Sequence, residues 1–149
     1  MFRNRKGFTL IELLVVIGIL AVLLAITLIA VNPGQNLEDA DDTKRRSDVN
    51  AILNAVNQYM VDNNGDAPTN VPTGLANAAI IGDGAGQVDI CADIIPTYIA
   101  AVPQDPDNNN GADITNCVGY SSGYTIYKDN NRITVNALNA NTPPIIVTR

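Results

Sequence analysis

The sequence predicts an α+β protein: a long N-terminal α-helix, membrane-embedded over its first half, packed on a small antiparallel β-sheet domain. Three observations carry that prediction. Residues 8–31, FTLIELLVVIGILAVLLAITLIAV, form a 24-residue apolar run with Glu12 as its single ionisable side chain. Beyond it, Val49, Ile52, Leu53, Val56, Tyr59 and Met60 recur at spacings of three and four, the mark of one apolar helical stripe. Residues 124–136, YTIYKDNNRITVN, alternate β-branched and aromatic residues around an Asp/Asn cluster, which signals a hairpin.

The chain opens with MFRNRKG, basic and free of acids. As a helix, residues 8–31 reach about 36 Å, enough to cross a bilayer core with some tilt. Apolar side chains surround every face of this run, so it is no one-sided amphipathic helix. The basic start stays cytoplasmic by the positive-inside rule and sends the C-terminal part outward. A secretory signal peptide does not fit. The run is too long, no A-x-A site precedes the polar region, and Glu12 interrupts the beginning of the stretch. An ionisable side chain inside a membrane segment is costly and points to function.

Asn32, Pro33 and Gly34 should kink or break the helix, because Pro lacks a donor and disfavours helical geometry before it. Helix resumes over residues 37–62. Its polar face carries Asp48, Asn50, Asn54 and Asn57, with i,i+4 pairs Asp41–Arg45 and Asp42–Arg46. The triplet Lys44, Arg45 and Arg46 reads as a solvated face. Asn63, Asn64 and Gly65 supply a stop. Residues 67–86, rich in small residues, Gly and Pro, read as a meandering connection. Residues 94–102 hold a short helix or irregular turn around Pro96. The hairpin turn falls on residues 128–131. Residues 145–147 add a last strand, kept at an edge by Pro143 and Pro144. The domain division is therefore 1–7 a basic leader, 8–31 a transmembrane helix, 32–64 a kink and amphipathic helix, and 65–149 a loop-rich β ectodomain.

Composition excludes several functions. The formal charge is −6, from 15 acidic and 9 basic residues; without Arg3, Arg5 and Lys6 the bases number 6 and the charge is −9. An acidic ectodomain lacks the Lys and Arg that neutralise phosphates, so no nucleic-acid partner is expected. With no His and three Ser, no nucleophile–base pair assembles, and an enzyme is not expected. The two cysteines, Cys91 and Cys117, follow the apolar segment. Once exported they meet an oxidising compartment, where a disulfide is the expected state.

Residues 6–16, KGFTLIELLVV, closely resemble the class III signal of type IV pilins and type II secretion pseudopilins. That resemblance implies cleavage by prepilin peptidase between Gly7 and Phe8, N-methylation of Phe8, and a glutamate at the fifth mature position, which Glu12 occupies. It implies a structural subunit in a pilus-like or pseudopilus filament, assembled from itself or with other pilins on an inner-membrane assembly platform. The subunit would begin in the cytoplasmic (inner) membrane as a single-pass protein with its C-terminal domain outside. It would then join a cell-surface or periplasm-spanning filament. Physical chemistry supplies a reason for each position. Gly7 lets the backbone lie close against a protease. Glu12 lies one helical turn from the new ammonium of Phe8, and pairing the carboxylate with a neighbour's amine would set axial register. The alternative reading is a signal-anchored extracytoplasmic ligand-binding domain that does not polymerise.

Residues 105–113, DPDNNNGAD, present oxygen ligands at alternate positions, so Asp105, Asp107, Asn109 and Asp113 are a candidate Ca²⁺ set. The loop departs from an EF-hand in the placement of its glycine and in having Asn116 where the final Glu would stand. The resemblance adds that major pseudopilins often bind calcium in a loop of this region. An exposed, Asn-rich turn without cofactor is the favoured reading.

Overall fold

A computed structural model describes residues 7–141 and 144–149. The basic residues of the leader, Arg3, Arg5 and Lys6, and the edge-setting Pro143 lie outside the described residues. The chain divides into two compact units at residue 38, each described by itself below.

In the first unit, α1 spans Leu10–Val31. Straight-chain and branched aliphatics give it good helix propensity and no polar competitor for the backbone. It ends at Asn32, whose backbone is left-handed (φ 40°, ψ 75°), a conformation that Asn tolerates better than most residues. Helix α2, Pro33–Asp62, starts at once. Pro33 takes the first helical position, where its missing N–H is not needed and its fixed φ is already helical. The sequence placed this restart at residue 37, four residues too late, because Pro was read only as a breaker. The Asn32 side chain contacts Gln35 (Nδ2 to Oε1, 3.3 Å) and Asn36 Nδ2 donates to the Val31 carbonyl (2.9 Å). These bonds dress the interruption with local polar partners.

The second unit holds most of α2, the short helix α3 (Cys91–Ile94) and a four-stranded antiparallel sheet. Helix α2 stops at Asn63, Asn64 and Gly65, where positive φ at Asn64 and Gly65 lets the Gly65 N–H return to the Met60 carbonyl at 2.7 Å. The strands are β1 (Ala79–Gly82), β2 (Ser121–Asp129), β3 (Arg132–Ala137) and β4 (Ile145–Thr148), in the order β1-β2-β3-β4. The β2–β3 register runs from Tyr124↔Ala137 to Asp129↔Arg132. Only Asn130 and Asn131 remain for the turn, both at positive φ (47° and 64°). That matches the right-handed twist of the flanking strands. Lys128 and Asp129 thus belong to the strand and not to the turn. β4 pairs with β3 and forms one edge, as its sequence suggested. β1 is a correction: it lies within the stretch expected to be a meandering connection.

One core joins helix and sheet. Val49, Ile52, Leu53 and Val56 on α2 are fully buried, as are Ile81, Tyr124, Ile126, Ile133 and Val135 from the strands. Met60 closes the stripe, while Tyr59 is half-buried with its ring edge-on to Tyr98 at 5.8 Å. The disulfide Cys91–Cys117 ties α3 to the loop before β2. On the other face of the sheet, Thr125 and Asn136 sit opposite each other in register. Their Oγ1 and Oδ1 atoms are buried without a hydrogen-bond partner among the described residues.

Candidate assembly site

Gly7 and Phe8 precede α1 in exposed, non-helical chain. Among the described residues nothing lies within 4 Å of where a Gly7 side chain would begin, and Phe8 is 87% exposed. The positions expected for cleavage and methylation are therefore exposed among the described residues. Thr9 caps the helix. Its hydroxyl accepts from the Glu12 N–H (3.3 Å), while the Thr9 N–H and hydroxyl both donate to Glu12 Oε2 at 2.9 and 2.8 Å. This reciprocal capping box satisfies donors that an α-helix leaves orphaned at its start. It also aims the carboxylate back toward the start of the helix at Thr9. The signal T-x-x-E was present in the sequence at Thr9 and Glu12, though its capping role went unread.

Behind Glu12 the helix is apolar on all sides. No residue of α1 is buried, and Leu10, Leu13, Leu14, Ile17, Leu20 and Leu24 are each at least half exposed. Among the described residues this is one helix long and apolar enough to cross a membrane. Gly18 meets nothing where a side chain would stand and leaves a shallow notch with Leu14, Val15, Ile19, Val22 and Leu23. Small residues of this kind let helix backbones approach closely in a bilayer.

The second unit contains a polar cluster that sequence reasoning missed. Arg45 is not on a solvated face. Its side chain is 2% exposed, and its guanidinium donates from Nη1 to Asp42 (2.8 Å), from Nε and Nη2 to the two oxygens of Asp105 (3.1 and 3.2 Å), and from Nη2 to Asp107 (2.8 Å). Burial alone would lower its pKa. Hydrogen bonds to Asp105 and Asp42 and the charges of Asp105 and Asp107 outweigh burial, and the net shift is upward. Next to it, Lys44 Nζ donates to Asp48 (2.7 Å) and to the Gln104 carbonyl (2.9 Å). Asp48 in turn accepts from the Tyr124 hydroxyl at 2.8 Å. Burial, then that hydrogen bond, pushes the Tyr124 phenol well above its usual range. The expected pairs Asp41–Arg45 and Asp42–Arg46 are replaced by Asp42–Arg45 and Lys44–Asp48, and Asp48 leaves the polar surface for the interior. Of the triplet, only Arg46 is exposed. No local signal marks the burial of Arg45, because Asp105 and Asp107, which enclose its guanidinium with nearby Asp42, lie 60 and 62 residues away.

The candidate calcium residues divide. Asp105 is fully buried and faces Arg45, Asp107 shares that guanidinium, and Asn109 and Asp113 are exposed. Asp42, Asp105 and Asp107 converge on the Arg45 guanidinium, and among the described residues no three acidic, His or Cys side chains are placed to hold a metal ion.

A 22-residue exposed apolar helix, opened by a carboxylate and followed by a small disulfide-closed sheet domain, defines a filament subunit of the pilin class. Residues 2–28 match the prokaryotic N-terminal methylation motif. The chain is 36% identical over 115 residues to type II secretion system core protein G of Aeromonas hydrophila, covering 72% of this chain and 71% of that protein. It is 42% identical over 67 residues to the protein of the same name from Escherichia coli K12, 45% of each chain. It is 43% identical over 63 residues to that of Dickeya chrysanthemi, 42% of this chain and 40% of the relative. No solved structure matches the chain significantly. The chain belongs to the family of type II secretion system core protein G, the pseudopilins.

Proposed function

We propose that this chain is the repeating subunit of a type II secretion pseudopilus, processed by prepilin peptidase after Gly7, methylated on Phe8 and polymerised through α1. One observation carries the reading: α1 is wholly exposed and apolar, yet begins with a single carboxylate held at its N-terminal cap. Such a surface needs a bilayer or like helices around it. The boundaries follow from this: 1–7 is removed, 8–31 spans and then packs, and 65–149 forms the outward-facing β ectodomain on the amphipathic stem. The subunit starts in the inner membrane, where an assembly platform draws it into a periplasmic filament with further pseudopilins. Its work is mechanical, and the family is not known as enzymatic.

Glu12 sets axial register. In the isolated subunit its carboxylate is satisfied by Thr9, in the same turn. After cleavage, the ammonium of Phe8 lies one turn away, and in the filament the carboxylate exchanges its intrachain partner for the amine of a neighbour. An unpaired charge in apolar surroundings is expensive, so helices that slide out of this pairing are penalised.

Intact mass and N-terminal sequencing of membrane-extracted protein test the processing. A chain starting at Phe8 with one added methyl group is expected. Retention of Met1 in a host with active prepilin peptidase would sink the reading. For register, Glu12→Gln is expected to abolish filaments seen by electron microscopy while leaving the melting temperature of the globular unit unchanged. Normal filaments from that variant would dismiss the pairing.

A further inference from the structure

A bound divalent ion is one way to organise an Asp-rich loop. At residues 104–107 the oxygens that face the stem are already taken. Asp105 contributes both carboxylate oxygens to Arg45, Asp107 contributes one, and the Gln104 carbonyl accepts from Lys44. Carboxylates and a backbone carbonyl from residues 104–107 are the donor types that Ca²⁺ selects. Two side chains of adjacent residues on α2 bring two positive charges to that set. We propose that Lys44 and Arg45 are a built-in dication that holds the 104–113 loop on the helical stem in place of a soluble metal ion.

The surrounding backbone is shaped for this contact. At Gly123 (φ +83°), a side chain would meet Asp105 Cβ at 2.8 Å and Asn108 Nδ2 at 2.5 Å. The absence of that side chain lets strand β2 and the loop close over the carboxylate. At Gly111 (φ +64°), a side chain would approach Lys44 Cε and Pro106 Cα, both at 3.3 Å, so the far end of the loop lies against the lysine stem. The loop is also stitched from within. Asp107 N–H donates to Asp105 Oδ1 (3.0 Å), the Asp105 N–H to the Ser122 carbonyl and the Asn108 N–H to the Asp105 carbonyl, both at 2.8 Å. A divalent ion entering the cluster would have to displace a planar guanidinium bound to three carboxylates, whose fork matches carboxylate geometry better than a point charge does. The inference concerns the globular unit alone and stands independently of polymerisation.

The test is thermal melting of the full chain in detergent, followed by near-ultraviolet circular dichroism, in chelator and in millimolar calcium. The same midpoint in both is expected; a midpoint lowered by chelator and restored by calcium would overturn the proposal. Arg45→Gln is expected to melt more than about 10 °C below the parent in chelator, because it strands buried carboxylates. A variant melting like the parent would equally overturn it. Should Arg45→Gln not fold, Asp107→Asn removes the carboxylate whose side chain is 61% exposed. It should lower the midpoint by a few degrees equally in both buffers, and a loss confined to calcium buffer would return the loop to a metal.

Discussion

Helix α1 and the core stripe of α2 are built from the same aliphatic residues, yet they meet opposite fates. Leu20, Leu23 and Leu24 in α1 are more than half exposed, whereas Ile52, Leu53 and Val56 in α2 are fully buried. The difference is one of pattern. In α2, the buried apolar residues keep to one side, and Asn54, Gln58 and Arg46 lie exposed on the other. In α1 there is no other side. A one-sided helix can finish its burial inside its own chain; an all-round apolar helix cannot, and must find lipid or neighbours. Within one polypeptide, hydrophobicity is therefore disposed in two ways. The globular unit uses it for folding, while α1 leaves it exposed.

Matched truncations would break this contrast if it is wrong. Leu53→Ala should cost about 2–5 kcal/mol of unfolding free energy in urea titrations of the detergent-solubilised chain. Leu20→Ala should change it by less than about 0.5 kcal/mol, since no chain contact is lost. Equal effects would mean that α1 contributes to the fold. Next in size, replacing both Cys91 and Cys117 by Ala opens a loop of 26 residues and should cost about 3 kcal/mol in the same titration, leaving membrane extraction unchanged.

Alkaline pH sharpens the contrast differently. Tyr124 and Tyr120 are both raised by burial, then by hydrogen bonds to Asp48 and Asp89 respectively. Folding favours their neutral phenols. That stabilisation is fully present below the unfolded value near pH 10 and is lost as pH rises toward the folded values. Stability should fall from about pH 10 upward by up to about 1.4 kcal/mol per pH unit for each phenol. Tyrosinate absorbance should rise together with loss of tertiary structure. The smallest effect is expected at Thr125→Val, which removes a buried hydroxyl oxygen that has no partner. Urea titration should find it neutral or more stable by about 1 kcal/mol.

How far the sequence revealed this molecule depended on the range of each signal. The apolar helix α1 and the methylation motif that includes Glu12 lie in one short string, so both are legible locally. The β2–β3 hairpin and the α2 stripe follow from short periodicities, and the disulfide from compartment and number. β1 escaped because Ala79, Ile80, Ile81 and Gly82 are four residues without alternation, recruited by pairing with β2 some forty positions on. Arg45 escaped for the same reason at greater cost to the reading. In a local window it is one cation among acids at helical spacing, and only the return of Asp105 and Asp107 withdraws it from solvent. The capping box was the opposite case: both of its residues were in view, but Glu12 was read for assembly and its local bond to Thr9 was overlooked.

The bareness of α1 also bears on reversibility. Lipid tails are about as apolar as leucine, so moving this helix from bilayer into a bundle of its own kind gains almost no hydrophobic free energy. Growth of such a polymer cannot run downhill on greasiness alone. In the filament proposed above, close packing around notches such as Gly18 and the exchange of partners at Glu12 would have to supply what hydrophobicity does not. The return path is correspondingly gentle. On the proposed reading, a subunit released from the filament would return to the bilayer without exposing α1 to water, and the membrane would serve as a reservoir from which the same molecule is drawn again.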